Sequence, residues 1–81
     1  MRIKVLYFGR LKELAGCSEE SVEVRDGSLI EDVFRTCSAA RPELLQFRAS
    51  LVAARNCEFA AWDMPLQAGD EVGFLPPVSG G

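Results

Sequence analysis

The chain has 81 residues, 48% of them hydrophobic, and nine Lys and Arg against 12 Asp and Glu leave a formal charge of −3. That length supports one domain with a modest core, and no apolar run approaches the roughly 20 residues of a membrane span. The basic residues are scattered, which argues against a nucleic-acid footprint; histidine is absent, and the three cysteines stand too far apart for a zinc knuckle. These absences weigh against a self-sufficient enzyme, and an odd number of cysteines fits reduced thiols. Met1-Arg2-Ile3-Lys4-Val5 already alternates like a strand, so no secretory segment is expected, and the cytoplasm is the default location.

Residues 2–8 form the first predicted strand, with Ile3, Val5 and Tyr7 on one face and Arg2, Lys4, Leu6 and Phe8 on the other. If Ile3 and Val5 face the core, Phe8 stands outside as a contact candidate, unless it packs beneath the next loop. Gly9 breaks the strand, Leu11, Leu14 and Ala15 recur at helical spacing, and Gly16 supplies a stop. Residues 21–25 read as a half-buried strand with Val22 and Val24 inward, followed by an Asp26-Gly27 turn.

Ser28 and Glu31 have capping-box spacing, and Ile30, Val33, Phe34 and Cys37 fall at i, i+3, i+4 and i+7. The apolar helix face so defined should lie across a sheet. Pro42 ends that helix and opens a short helical turn through Glu43, Leu44 and Leu45, with Phe47 closing the core. Residues 50–55 read as a strand; if Arg55 points to water, Val52 and Ala54 point inward. Asn56-Cys57 turns the chain into residues 58–61. After loops at 63–65 and 67–70, residues 71–75 form the last strand, with Val72 and Phe74 inside and Leu75 outside. This order predicts an α+β domain over residues 1–75, a helix packed on one face of a mixed sheet.

Residues 76–81, Pro76-Pro77-Val78-Ser79-Gly80-Gly81, continue directly from that strand. The prolines favour extended backbone at their predecessors, giving a stiff stem, and six extended residues reach roughly 20 Å. Gly80 and Gly81 carry no Cβ, so the tip is narrow enough to thread a tunnel in another protein and present the Gly81 α-carboxylate there. The plain alternative is an inert end or a linker fragment. A carboxylate ionises with a pKa of about 3.5 and is a poor acyl donor until activated. Adenylation by ATP would activate it, but no glycine falls in a phosphate-loop pattern, so that chemistry belongs to a partner.

With those residues in view, the chain resembles the sulfur-carrier (small) subunits of molybdopterin synthase, which are ubiquitin-like β-grasp proteins. The likeness runs through Ile3-Lys4-Val5-Leu6-Tyr7-Phe8, Gly9 to Gly16, Ala54-Arg55-Asn56, Pro65-Leu66, and Gly69-Asp70-Glu71-Val72 leading into Phe74-Leu75 and the tail. The terminal Pro-Pro-Val-Ser-Gly-Gly is its specific part. The resemblance implies that an ATP- and Mg-using enzyme adenylates Gly81, that sulfur displaces AMP to leave a thiocarboxylate, and that the tail then enters the large synthase subunit. There the sulfur passes to cyclic pyranopterin monophosphate. Gly80 would allow insertion, Pro76, Pro77, Val78 and Ser79 would line the path, and Phe8, Phe59 and Leu75 would form the apolar contact surface. Two small subunits flanking a dimer of large ones are implied by analogy, with no cofactor bound by this chain.

Arg10 and Lys12 either steer an acidic partner or are solvated loop charges. Cys37 reads as packing, while Cys17 and Cys57 occupy turns without a base or metal to lower a thiol pKa. Asp70-Glu71 and Glu19-Glu20 read as solvated surface charge, since neighbours on a strand face opposite ways. Two other functions share the tail: a ubiquitin-like protein modifier joined to lysines, or a sulfur carrier for tRNA thiolation or thiamine. A binding module with an inert tail is the third class.

Overall fold

Alternation in β1 (Arg2–Tyr7) buries Ile3, Val5 and Tyr7 as expected, and places this strand near the middle of a five-stranded sheet. The computed structural model describes residues 1–76, so the readings made for Pro77, Val78, Ser79, Gly80 and Gly81 fall outside the described residues. After β1 come α1 (Arg10–Ala15), β2 (Glu19–Glu23), α2 (Ile30–Ala40), a 3₁₀ segment (Pro42–Ser50), β3 (Val52–Arg55), β4 (Glu58–Ala60) and β5 (Glu71–Leu75). The sheet order is β2-β1-β5-β3-β4; β1 and β5 run parallel and the other neighbours antiparallel. This is the expected α+β arrangement with a mixed sheet. No helix among the described residues is long and apolar enough to cross a membrane.

The long helix buries Ile30, Val33, Phe34 and Cys37, the face its spacing predicts, in one core with Val5, Val72 and Phe74. Phe34 meets Phe74 edge-on at 5.1 Å between ring centroids, and Trp62 stacks on Phe74 at 5.6 Å. Each such pair contributes about 0.5–1.5 kcal/mol beyond simple burial. Trp62 also carries the Arg48 guanidinium 3.5 Å from its ring centroid, and Arg48 bonds Glu31 at 2.9 Å, so this helix is tied to the 3₁₀ segment across the aromatic cluster.

Several boundaries and faces depart from the sequence reading. Strand β2 starts two residues earlier than expected because its register is set by β1, from Leu6 opposite Glu19 to Arg2 opposite Glu23. The helix start is capped differently: Leu29 stands at the N-cap and its N–H donates to the Asp32 carboxylate at 2.8 Å. Glu31 is engaged by Arg48, so the Ser28/Glu31 box does not form. The turn expected after Pro42 extends as 3₁₀ helix to Ser50, which delays β3 to Val52.

The inward face of β3 is the opposite of the one expected. Ala53 is buried, whereas Val52 is 41% exposed and Ala54 lies opposite the exposed Phe59. The premise failed at Arg55, whose guanidinium turns to Asp70 instead of water. In a strand the face of one residue decides all the rest, so that single ion pair inverts the assignment.

Candidate functional site

On the side of the sheet away from the long helix, polarity changes along the strands. At one end Lys4 pairs with Glu19 at 3.3 Å and lies within 4.0 Å of Glu71. Two residues further along, Leu6 sits beside Gly73 in the β1/β5 register, and the surface becomes apolar. Leu6, Phe8, Ala54, Phe59 and Leu75 line an open groove of about 250 Å³ there. Phe59 is 80% exposed and Phe8 42%, while Leu75 is half-buried. The apolar end is the one from which the chain leaves β5, so the tail root and the exposed aromatics share a face.

Two glycines shape this end. A Cβ on Gly73 would stand 3.1 Å from Phe8 Cε2, so the bare strand is what lets the Phe8 ring lie down against the sheet. Gly9 has φ 58° and ψ −131°, mirror-image extended backbone suited to glycine, and its Cα faces the Pro76 ring. Gly73 did not figure in the sequence reading, and Gly9 figured only as a breaker and as the start of a stretch of family likeness. The available signal was a glycine inside an otherwise apolar strand, which often marks a close approach.

A clamp centred on the buried Asp70 joins the β3/β4 hairpin to the start of β5. Asn56 and Cys57 both have positive φ, 49° and 71°, giving the two-residue turn that matches strand twist. Asp70 accepts hydrogen bonds from Arg55 Nε at 2.7 Å, the Gln67 N–H at 2.8 Å and Asn56 Nδ2 at 3.1 Å. Asn56 Oδ1 in turn accepts from the Glu71 N–H at 3.0 Å. Burial works to raise the Asp70 pKa, but the bonds from Arg55, Gln67 and Asn56 outweigh it and hold the carboxyl below its ordinary value. Asp70 is therefore not the solvated charge that sequence suggested.

Glu20 departs from expectation in the same way. It accepts hydrogen bonds from the Tyr7 hydroxyl and, at 2.8 Å, from Arg41, joining β2 to the end of the long helix. Burial, reinforced by hydrogen bonds with Cys37 and Glu20, pushes the Tyr7 phenol far above its usual range. Burial likewise raises the Cys37 thiol, and since thiolate is the reactive form, this cysteine acts as packing. Cys17 is partly buried against the core and Cys57 is exposed beside the groove. Arg10 places its guanidinium 6.0 Å from the Phe47 ring centroid, and Lys12 is exposed near Phe8 and Gly9. No cluster of potential metal ligands occurs among the described residues.

Of the residues singled out from sequence, the structure brings Phe8, Phe59 and Leu75 onto one face and sets Pro76 against Gly9 at its margin. Val52, assigned to the core, is exposed on that same side of β3.

Comparison with known proteins adds four likenesses. The model of the ThiS family matches residues 5–81. The chain is 41% identical to the molybdopterin synthase sulfur carrier subunit of Chlamydomonas reinhardtii, across the full length of both. Among solved structures, SAMP1 from Haloferax volcanii superposes with a TM-score of 0.85 at 30% identity, all of both chains being covered. One chain of the complex between subunits 1 and 2 of the Helicobacter pylori molybdopterin-converting factor gives 0.71 at 26%, again with full coverage of both. The fold is thus the ubiquitin-like β-grasp.

Proposed function

The chain belongs to the ThiS family, and on that premise we propose that it is the sulfur carrier of molybdopterin synthesis, working in the cytoplasm as a subunit without catalytic groups of its own. The observation that carries this reading is the apolar face at the tail root, where Phe8, Phe59 and Leu75 offer a docking surface beside the departing chain.

In the proposed cycle, the Gly81 carboxylate attacks the α-phosphorus of ATP on a separate, Mg-using enzyme, pyrophosphate leaves, and an acyl adenylate remains. Hydrosulfide from a sulfur donor then attacks the acyl carbon and AMP departs with loss of a proton, giving the thiocarboxylate. Docked through Phe8, Phe59 and Leu75 on the large synthase subunit, the chain delivers this sulfur to cyclic pyranopterin monophosphate. Water finally cleaves the acyl–sulfur bond and returns the carboxylate. Pro76, Pro77, Val78 and Ser79 direct the tip, and Gly80 keeps it narrow. Lys12, near Phe8 and Gly9, and Arg10, over the Phe47 ring, are candidates for contact with an acidic partner.

The likeness to SAMP1, a small archaeal modifier protein, favours a second reading in which the same acyl adenylate ends as an amide on a target lysine. Intact-mass measurement of the protein recovered from cells separates the two. Sulfur replacing one terminal oxygen supports the carrier; lysine-linked adducts without that exchange would replace it with the modifier.

A further inference from the structure

Tyr7 pairs with Phe74 in the parallel register of β1 and β5, so one step further Phe8 stands level with Leu75, and two steps further Gly9 with Pro76. Here the two chains part. Pro76 has no N–H to continue the ladder, and the β1 chain turns away into α1. What still connects them is side-chain contact on alternate sides: the Phe8 ring on bare Gly73, and the Pro76 ring on bare Gly9.

We propose that Gly9 is a positioning residue for the tail, setting the direction in which the chain leaves the domain by giving the Pro76 ring a seat that no other residue type leaves open. The inference rests on the sulfur-carrier reading. Gly9 is itself held from the helix side, since its carbonyl accepts from the Lys12 N–H at 3.1 Å and the Phe8 carbonyl accepts from the Leu11 N–H at 3.2 Å. The seat is thus anchored to both β1 and α1. A Cβ there would stand 3.2 Å from Pro76 Cγ and 3.7 Å from its Cδ, so the ring would have to shift by a few tenths of an ångström. Pro76 is exposed, and nothing bulky needs to unpack for it to move. Five residues follow, whose reach if fully extended is at most about 17 Å, so the direction in which the chain leaves Pro76 bounds where the terminus can be delivered. Misplacing a reacting atom by about 1 Å slows a reaction on the order of a hundredfold.

The experiment uses the full chain, loaded as the thiocarboxylate, with the large synthase subunit and its pterin substrate. It records the transfer rate at saturating large subunit, the Kd for docking and the thermal unfolding midpoint. Gly9→Ala is expected to slow transfer roughly tenfold or more, with Kd changed less than about threefold because Phe59 and Leu75 remain on their strands and Phe8 keeps its place against Gly73. Gly27→Ala is the control, placing Ala at φ +85° in a turn with nothing within 4 Å of the new Cβ; it is expected to cost stability and leave transfer unchanged.

Pro76→Ala removes the contacting ring and, being on an exposed residue past the last strand, tests the same contact even if Gly9→Ala fails to fold. It too should slow transfer, and the double variant should be no slower than the worse single one. Wild-type transfer rates in both single variants, additive losses, or a loss in Gly9→Ala matched by Gly27→Ala at equal destabilisation would overturn the positioning role while leaving the carrier intact. A wild-type chain that takes up no sulfur from its activating enzyme overturns both.

Discussion

Asp70 shows how much a single buried carboxylate holds in so small a domain. With three donors on it, the Asp70→Asn variant is expected to lose about 1–3 kcal/mol in urea denaturation, since Arg55 would keep its charge without a partner. The sign of the pH effect follows from the lowered pKa. A carboxyl more acidic folded than unfolded stabilises the protein above its unfolded pKa of about 3.9, and that contribution fades as pH falls through the folded value. Denaturation midpoints taken between neutral pH and about pH 2 should therefore drop more steeply below pH 4 for the native chain than for Asp70→Asn. The cysteines support a second residue-level prediction: Cys17→Ser and Cys57→Ser should leave the rate of sulfur transfer unchanged, because the proposed cargo rides on the tail and not on a thiol. A large loss in either variant would reinstate a thiol relay.

Among the elements, the long helix was readable from its apolar spacing, but its cap was not. Ser28/Glu31 and Leu29/Asp32 both have i, i+3 spacing, and the choice was made by Arg48, which lies 17 residues from Glu31 and captures its carboxylate. Asp32→Ala should lower stability by about 1 kcal/mol by leaving the Leu29 N–H without its acceptor. A Ser28→Ala change should cost less than that in the same thermal melt. The outer face of β1, β4 and β5 carries the docking prediction. Phe8→Asp and Phe59→Asp each place a charge where the proposed contact is apolar, and should weaken binding to the large subunit about tenfold or more by calorimetry. Both side chains are already exposed, so unfolding midpoints should stay within a few degrees.

For the molecule as a whole, the proposed division of labour separates stability from function. Removing Gly81 should leave the unfolding curve unchanged and abolish sulfur loading, read by intact mass after incubation with the activating enzyme, ATP and a sulfur donor. A truncated chain that still takes up sulfur would refute the proposed role of the terminal carboxylate.

Pattern along the chain was enough for β1, α1, the long helix and β5, because each buries a stripe whose period is set by its own backbone geometry. It was enough too for the outward positions of Phe8 and Leu75, which follow from their buried neighbours. Phe59 entered only through family likeness, since three residues of β4 are too few to show a period. The facing of β3, the pairing of Asp70 and Glu20, and the seats that Gly73 and Gly9 offer to Phe8 and Pro76 appeared only in the folded sheet. Each is a contact between strands or helices distant in sequence, and a short alanine-rich strand has no hydrophobic preference strong enough to choose a face until such a contact chooses for it.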